Sequence, residues 1–340
     1  MKKGFSAMLA IVMTLTLMLS GCGEGNQTKT KKSANTQPKI VLKAGELSPD
    51  DNINTEVMQY FCDEVKKLSD GEMEVELYSG GQLGDERTEI QAVQMGALDA
   101  FRANTLTMGD FGVKEMNVFG LPYLFQGREH LWKALKSETG REILKGLEKN
   151  KTSMIGLGFV DEGSRNFFAK KEIKSPEDLK GMKMRVAETS ILMDTVKCFG
   201  ASPTPISMSE LYTSLQTGVV DGADQPLAGY ISNSFFEVNN NLVLDGHTYS
   251  PGIIIFSEYK WNRLNKEEQG ILKKAASNAE DYNKKIIEKD DQDQIEQLKE
   301  KKVNVVEITD FTPWQDAVKP VYEKYGKGYM HLVEEIQEMK

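Results

Sequence analysis

Short strand-like stretches alternate with helix-like ones along this chain, and the alternation occurs twice. That rhythm restricts the possible folds more than any other feature. Ile40, Leu42 and Ala44 alternate with Val41 and Lys43, as in a short strand. Ile53, Val57, Tyr60, Phe61, Val65 and Leu68 then recur at helical spacing, with Gly71 closing the helix. Met73, Val75 and Leu77 alternate with glutamates, a helix is expected from about Asp85 to Met95, and Leu98 to Arg102 reads as a strand. Strands and helices taking turns with short loops form a parallel or mixed α/β sheet. The pattern restarts after Asn150. Thr152 to Val160 reads as a buried strand, and Ser175-Pro176-Glu177-Asp178 opens a short helix with serine as cap and proline in the first turn. Lys183 to Val186 reads as a strand, Ser190 to Phe199 as a helix, Ser207-x-x-Glu210 as a capping box, and Val219 to Gly222 and Gly252 to Ser257 as strands.

Asn265 caps a helical pattern without proline that continues to about Lys302, on the order of 50 Å at 1.5 Å per residue. So long a helix exceeds one small lobe and is expected to cross two as a shared strut. The alternative is two helices broken near Lys289-Asp290-Asp291. Pro320 is expected to break or kink the C-terminal helical region.

The N-terminus sets the compartment. Lys2 and Lys3 precede an apolar run from Phe5 to Leu19, then Leu19-Ser20-Gly21-Cys22. A basic start, a short apolar stretch and small residues make an export signal, and the run is short for a span of ~20 residues. The Leu-Ser-Gly-Cys ending resembles the lipobox of bacterial lipoproteins, in which Cys22 would carry the lipid. An ordinary signal peptide cut nearby, or an uncleaved anchor, is the alternative. Residues 22–38 are polar and aperiodic and read as a flexible tether. The mature part from Cys22 onward, about 320 residues, is more than one core usually holds, so two lobes are expected. An extracytoplasmic body has little access to ATP or reduced nicotinamide.

Removing residues 1–21, whose only charges are Lys2 and Lys3, takes the net charge from -9 to -11. Such a field does not attract nucleic acid, and a bound anion needs local positive charge. Cys62 and Cys198 lie far apart, with Cys62 off the apolar stripe of its helix; two free thiols are expected, with a disulfide as the alternative. His130, His247 and His331 are scattered, and no metal-ligand spacing is present. Gly156-Leu157-Gly158 lacks a third glycine and a following helix, and there is no P-loop or G-x-S-x-G elbow, so neither a cofactor nor an enzyme is expected. Asp161-Glu162 and Asp290-Asp291 read as surface carboxylates. Two arginines stand out: Arg185, on a strand before the Ala187-Glu188-Thr189 turn, and Arg165, after a strand and Gly163. A guanidinium is a rigid fork of donors matched to a carboxylate. Either arginine could instead pair with an internal acid.

Several ordered motifs resemble the solute-binding proteins of tripartite ATP-independent periplasmic (TRAP) transporters, the DctP type. They are Gln82 to Arg87 (QLGDER), Gln94 to Asp99 (QMGALD), Leu121 to Phe125 (LPYLF), Ser175 to Val186 (SPEDLKGMKMRV), Gly200 to Ile206 (GASPTPI) and Glu210 to Gly222 (ELYTSLQTGVVDG). The resemblance runs from Lys39 onward. It implies a two-lobed periplasmic-binding-protein-like fold, type II-like, whose hinged lobes close on an organic acid and share a long helix. The expected lobes are residues 39–162 plus 251–290 and residues 163–250 plus 291–340. The resemblance further implies that Arg185 holds the ligand carboxylate and Arg165 assists, and that Gln225 stands where the family commonly has asparagine. Glu86, Asn104, Glu188 and Met208 fall on family pocket positions. Phe167 shares the strand face of Arg165 and either stacks on a sugar chain or packs in the core. One clamp with acidic and amide groups favours a hydroxylated monoacid: a hexuronate, aldonate or keto-sugar acid. A C4-dicarboxylate asks for a second cation, for which Arg87 and Arg102 are candidates. The implied partner is a membrane permease driven by an ion gradient. An extracytoplasmic hydrolase and a receptor serving a sensor are the rival readings.

Overall fold

The computed structural model describes residues 38–340; the export signal, Cys22 and nearly all of the tether lie outside the described residues. Two sheets carry the fold. The first is built from β1 (Ile40–Gly45), β2 (Met73–Tyr78), β3 (Ala100–Asn104), β4 (Met154–Val160) and β11 (Gly252–Ser257), in the order β2-β1-β3-β11-β4. β1 is parallel to β2 and β3, whereas β11 runs antiparallel to β3 and β4. The second contains β5 (Ser164–Ala169), β6 (Lys183–Val186), β7 (Ser202–Pro205), β8 (Gly222–Gln225), β9 (Asn241–Leu244) and β12 (Asn304–Glu307), in the order β12-β9-β5-β8-β6-β7. The short β10 (Thr248–Tyr249) pairs with β5.

The chain passes between the sheets at residues 161–163 and again between β10 and β11. A third passage is the helix Lys266–Glu300, continuous over 35 residues. Its Asn265 side chain accepts from the amides of Glu267 and Glu268, and Glu268 returns the bond in a full capping box. Leu272, Ala275, Ala276 and Ala279 enter the core under the first sheet, Leu298 enters that of the second, and Ile287 meets Ile53 and Ala228 between them. The expected strut is therefore one helix spanning both lobes.

Several local readings are corrected. Cys62 is buried, because the helix Ile53–Leu68 packs on the sheet with one face and on the long helix with another, where Tyr60 stacks on Tyr282 at 4.1 Å. Burial pushes its thiol up to about 12, and both Cys62 and Cys198 are free. Ser207 precedes a helix but makes no capping bond; its hydroxyl donates to the Glu210 carboxylate at 2.8 Å. The strand expected at Val219 to Gly222 begins only at Gly222, and Val219 is exposed. The third strand begins at Ala100 rather than Leu98. The C-terminal helical region breaks at Val318, between the helix Thr312–Ala317 and a short helical turn, Lys319–Val321, that has Pro320 in its first turn and runs into a π-turn at Tyr322–Gly326.

Candidate functional site

Two adjoining cavities of about 580 and 100 Å³ lie between the sheets. Leu47, Glu86, Arg185, Ala187, Met208 and Asn233 line both, so they form one cleft with a roomy outer part and a narrow inner chamber.

The second sheet supplies the positive wall. β6 runs parallel to β7 and β8, and its register places Arg185 opposite Ala223. The Arg185 side chain is buried, its Nε donates to the Ile206 carbonyl at 2.8 Å, and its Nη1 is buried with no partner. Burial pushes this guanidinium down to about 10, which leaves it charged at neutral pH. Of the three buried arginines among the described residues, Arg102 and Arg165 are ion-paired and Arg185 is not. A buried cation without a counter-ion costs several kcal/mol, and an anion in the chamber removes that cost.

Arg165, on β5, lines the chamber, but its Nε is committed to the Asp224 carboxylate and its Nη2 to the Asp224 carbonyl at 2.8 Å. Burial favours a neutral Asp224, yet Arg165 and His247 outweigh it and hold the carboxyl well below the carboxylate range. His247 lies 3.4 Å from Asp224 and 2.7 Å from Asp245; burial alone would lower its pKa, but the two carboxylates raise it to about 9. Gln225 closes β8 beside Met208, its Nε2 3.5 Å from the sulfur.

The first sheet supplies the negative wall. Arg102, on β3, forms a bidentate pair with Glu46 at 2.5 Å and a second pair with Glu162. Asn104 caps the helix Thr105–Asp110 through its oxygen and donates to the Ser250 carbonyl at 2.8 Å and the Glu162 carboxylate at 3.3 Å. Glu86 accepts from the Asn104 amide at 2.7 Å and the Thr107 hydroxyl at 2.9 Å. Burial raises its pKa despite both bonds.

Arg185, Arg165, Gln225, Glu86, Asn104 and Met208 thus converge on the inner chamber, and Glu188 lines the outer cavity. Phe167 does not join them. It is fully buried, stacked on His247 at 4.3 Å and edge-on to Phe199 at 5.7 Å, so it is core and not a platform for a sugar. Arg102 is no spare cation, since two glutamates neutralise it. Arg87 lines the outer cavity and donates to the Glu188 carbonyl at 3.1 Å. Asp161 and Glu162 are not surface carboxylates; both are buried, Asp161 paired with Arg128 and Glu162 with Arg102. Glu46 and Glu162 were missed because nothing in their local sequence marks them; their partner lies 56 and 60 residues away.

Two lobes, a strut crossing both and an unpaired guanidinium in the cleft between them define a hinged receptor for an anionic solute. The chain belongs to the DctP family of bacterial extracellular solute-binding proteins, family 7, whose model matches residues 44–328. A TRAP periplasmic solute-binding protein from Citrobacter koseri with bound D-glucuronate is 31% identical, with a TM-score of 0.85 over 88% of this chain and 99% of that one. Its counterpart from Polaromonas sp. JS666 with bound D-erythronate is 33% identical, with a TM-score of 0.84 over 88% and 98%. The C4-dicarboxylate-binding periplasmic protein DctP of Rhodobacter capsulatus is 28% identical over 85% of this chain and 87% of its own length. No helix among the described residues is long and apolar enough to cross a membrane.

Proposed function

We propose that this chain is the receptor subunit of a TRAP transporter that captures a sugar acid, a hexuronate, aldonate or keto-sugar acid, and hands it to an ion-gradient-driven permease. The observation that carries the reading is Arg185, buried, unpaired and facing the cleft. Its free Nη1 donates to the ligand carboxylate, and Gln225 and the remaining capacity of Arg165 complete the grip. A charge-assisted bond in such a site contributes ~1.5–3 kcal/mol. Two such bonds, hydroxyl contacts to Glu86 and Asn104, and excluded water suffice for micromolar binding, ~8 kcal/mol. Ligand contacts to both walls favour the shut state, which is what a permease can recognise.

The lobes are assigned as residues 39–162 with 251–290, and 163–250 with 291–340. The tether, carrying lipid on Cys22, holds the receptor at the outer face of the membrane. A C4-dicarboxylate, the ligand class in the name of the Rhodobacter capsulatus relative, is the second reading and the less favoured one. A thermal-shift screen of hexuronates, aldonates, keto acids and C4-dicarboxylates decides between them. Stabilisation by the sugar acids is expected; stabilisation by dicarboxylates alone would remove the sugar-acid assignment.

A further inference from the structure

The inner chamber has one feature that an arginine clamp does not explain: its opposite wall is built from carboxylates. Glu162 belongs to the crossover between β4 and β5, at the floor of the cleft. Its position is fixed from several sides. Arg102 holds Oε1 and the Asn104 amide reaches Oε2 at 3.3 Å. At Gly252 on β11 a Cβ would lie 2.5 Å from Oε1, so the glycine makes room for the carboxyl. Arg102, the cation of this wall, is already shared with Glu46, and Glu86 lines the same chamber. With all groups ionised, one arginine faces three glutamates here. On the other side Arg185, Arg165 and His247 face Asp224 and Asp245, three cations against two carboxylates, leaving one net positive charge. That charge neutralises one carboxylate and no more.

We propose that Glu162 is the selectivity wall of this cleft: it accepts from a hydroxyl beside the ligand carboxylate and repels a second carboxylate. The receptor therefore takes hydroxy monoacids in preference to short dicarboxylates. A carboxylate offers only acceptors, so it rewards a hydroxyl donor and opposes an anion at the same place. A site built to pair with a hydroxyl discriminates strongly against a ligand lacking it, because its buried polar atoms are then left unpaired. Arg87 does not offset this, since it lines the outer cavity and not the chamber.

This inference rests on the sugar-acid reading, and titration calorimetry with D-glucuronate and succinate as probes separates the two. In the wild type D-glucuronate binds and succinate binds at least ten-fold more weakly. In Glu162→Gln the ratio of the two affinities falls at least five-fold, through weaker glucuronate and stronger succinate binding, whereas Glu162→Asp keeps the wild-type preference. A second measurement needs no variant. Burial raises the Glu162 carboxyl to about 7, with Arg102, Glu46, Glu86 and Arg165 facing it. The wild-type ratio should therefore rise severalfold from one pH unit below that value to one above. An unchanged ratio in Glu162→Gln, or a ratio flat with pH if that variant does not fold, overturns the proposal and leaves the sugar-acid reading standing. A wild type that binds neither acid, or prefers succinate, overturns both.

Discussion

A guanidinium withdrawn from water needs a counter-charge, and the three buried arginines show two ways of obtaining one. Arg102 and Arg165 carry theirs in the chain, while Arg185 leaves its place open. Because Arg165 has part of its fork committed to Asp224, Arg165→Ala should weaken D-glucuronate binding roughly ten- to a hundred-fold without abolishing it, as read by calorimetry. Phe167 belongs to the fold and not to the ligand. Phe167→Ala should cost ~3–5 kcal/mol of stability in denaturant unfolding while affinity per folded molecule stays unchanged; a selective loss of affinity would return it to the site. Arg185 was legible because a strand-borne arginine before a turn, embedded in a dense motif, marks a ligand face. Glu46 and Glu162 were not, since only tertiary pairing with Arg102 gives them a role. Phe167 was ambiguous because strand alternation fixes a face, not what covers it.

At the scale of elements, the helix Ser190–Cys198 has no side-chain cap of its own: Thr189 stands at the cap with its hydroxyl buried and unpartnered. The amide of Ser190 is instead met at 3.2 Å by the carboxylate of Asp110, which ends a helix following β3 of the other sheet. Capping across the cleft links this helix terminus to lobe closure. Asp110→Ala, losing ~1 kcal/mol of cap energy, should weaken D-glucuronate binding about five-fold through faster dissociation, measured by stopped flow; unchanged kinetics would show that the contact persists in the open state. The elements with clear periodicity or caps, such as the long helix and β11, were read from sequence with near-correct ends. β8 was displaced because Gly222-Ala-Asp-Gln lacks the β-branched residues that signal a strand. Its burial comes from pairing with β5 and β6, and it delivers Asp224 and Gln225 to the site.

For the whole molecule, the class of fold was legible from the repeated strand–helix rhythm, whereas the mixed strand directions and the third passage between sheets depend on long-range pairing. The buried titratable groups also act together on stability. His247 is raised to about 9 from an ordinary value of 6.5, so its contribution is full below 6.5 and lost as pH rises through 9. Glu89, buried with both oxygens unpartnered, is raised by burial to about 8, and a carboxyl raised on folding likewise loses its contribution as pH climbs towards that value. Both act in one direction, so the melting temperature of the ligand-free protein should fall from pH 6.5 to 9, and Glu89→Gln should flatten the lower part of the decline. A melting temperature that rises across this window would contradict the assignment.

In the proposed function the two lobes, the strut and the polar walls serve one event, the seating of an acid on Arg185. Titration calorimetry of D-glucuronate into the wild type and Arg185→Ala, with both shown to be folded by circular dichroism, measures that event directly. Saturable binding in the wild type and no measurable heat in the variant is the result expected. Equal affinity in the two proteins would place the carboxylate elsewhere and contradict the account.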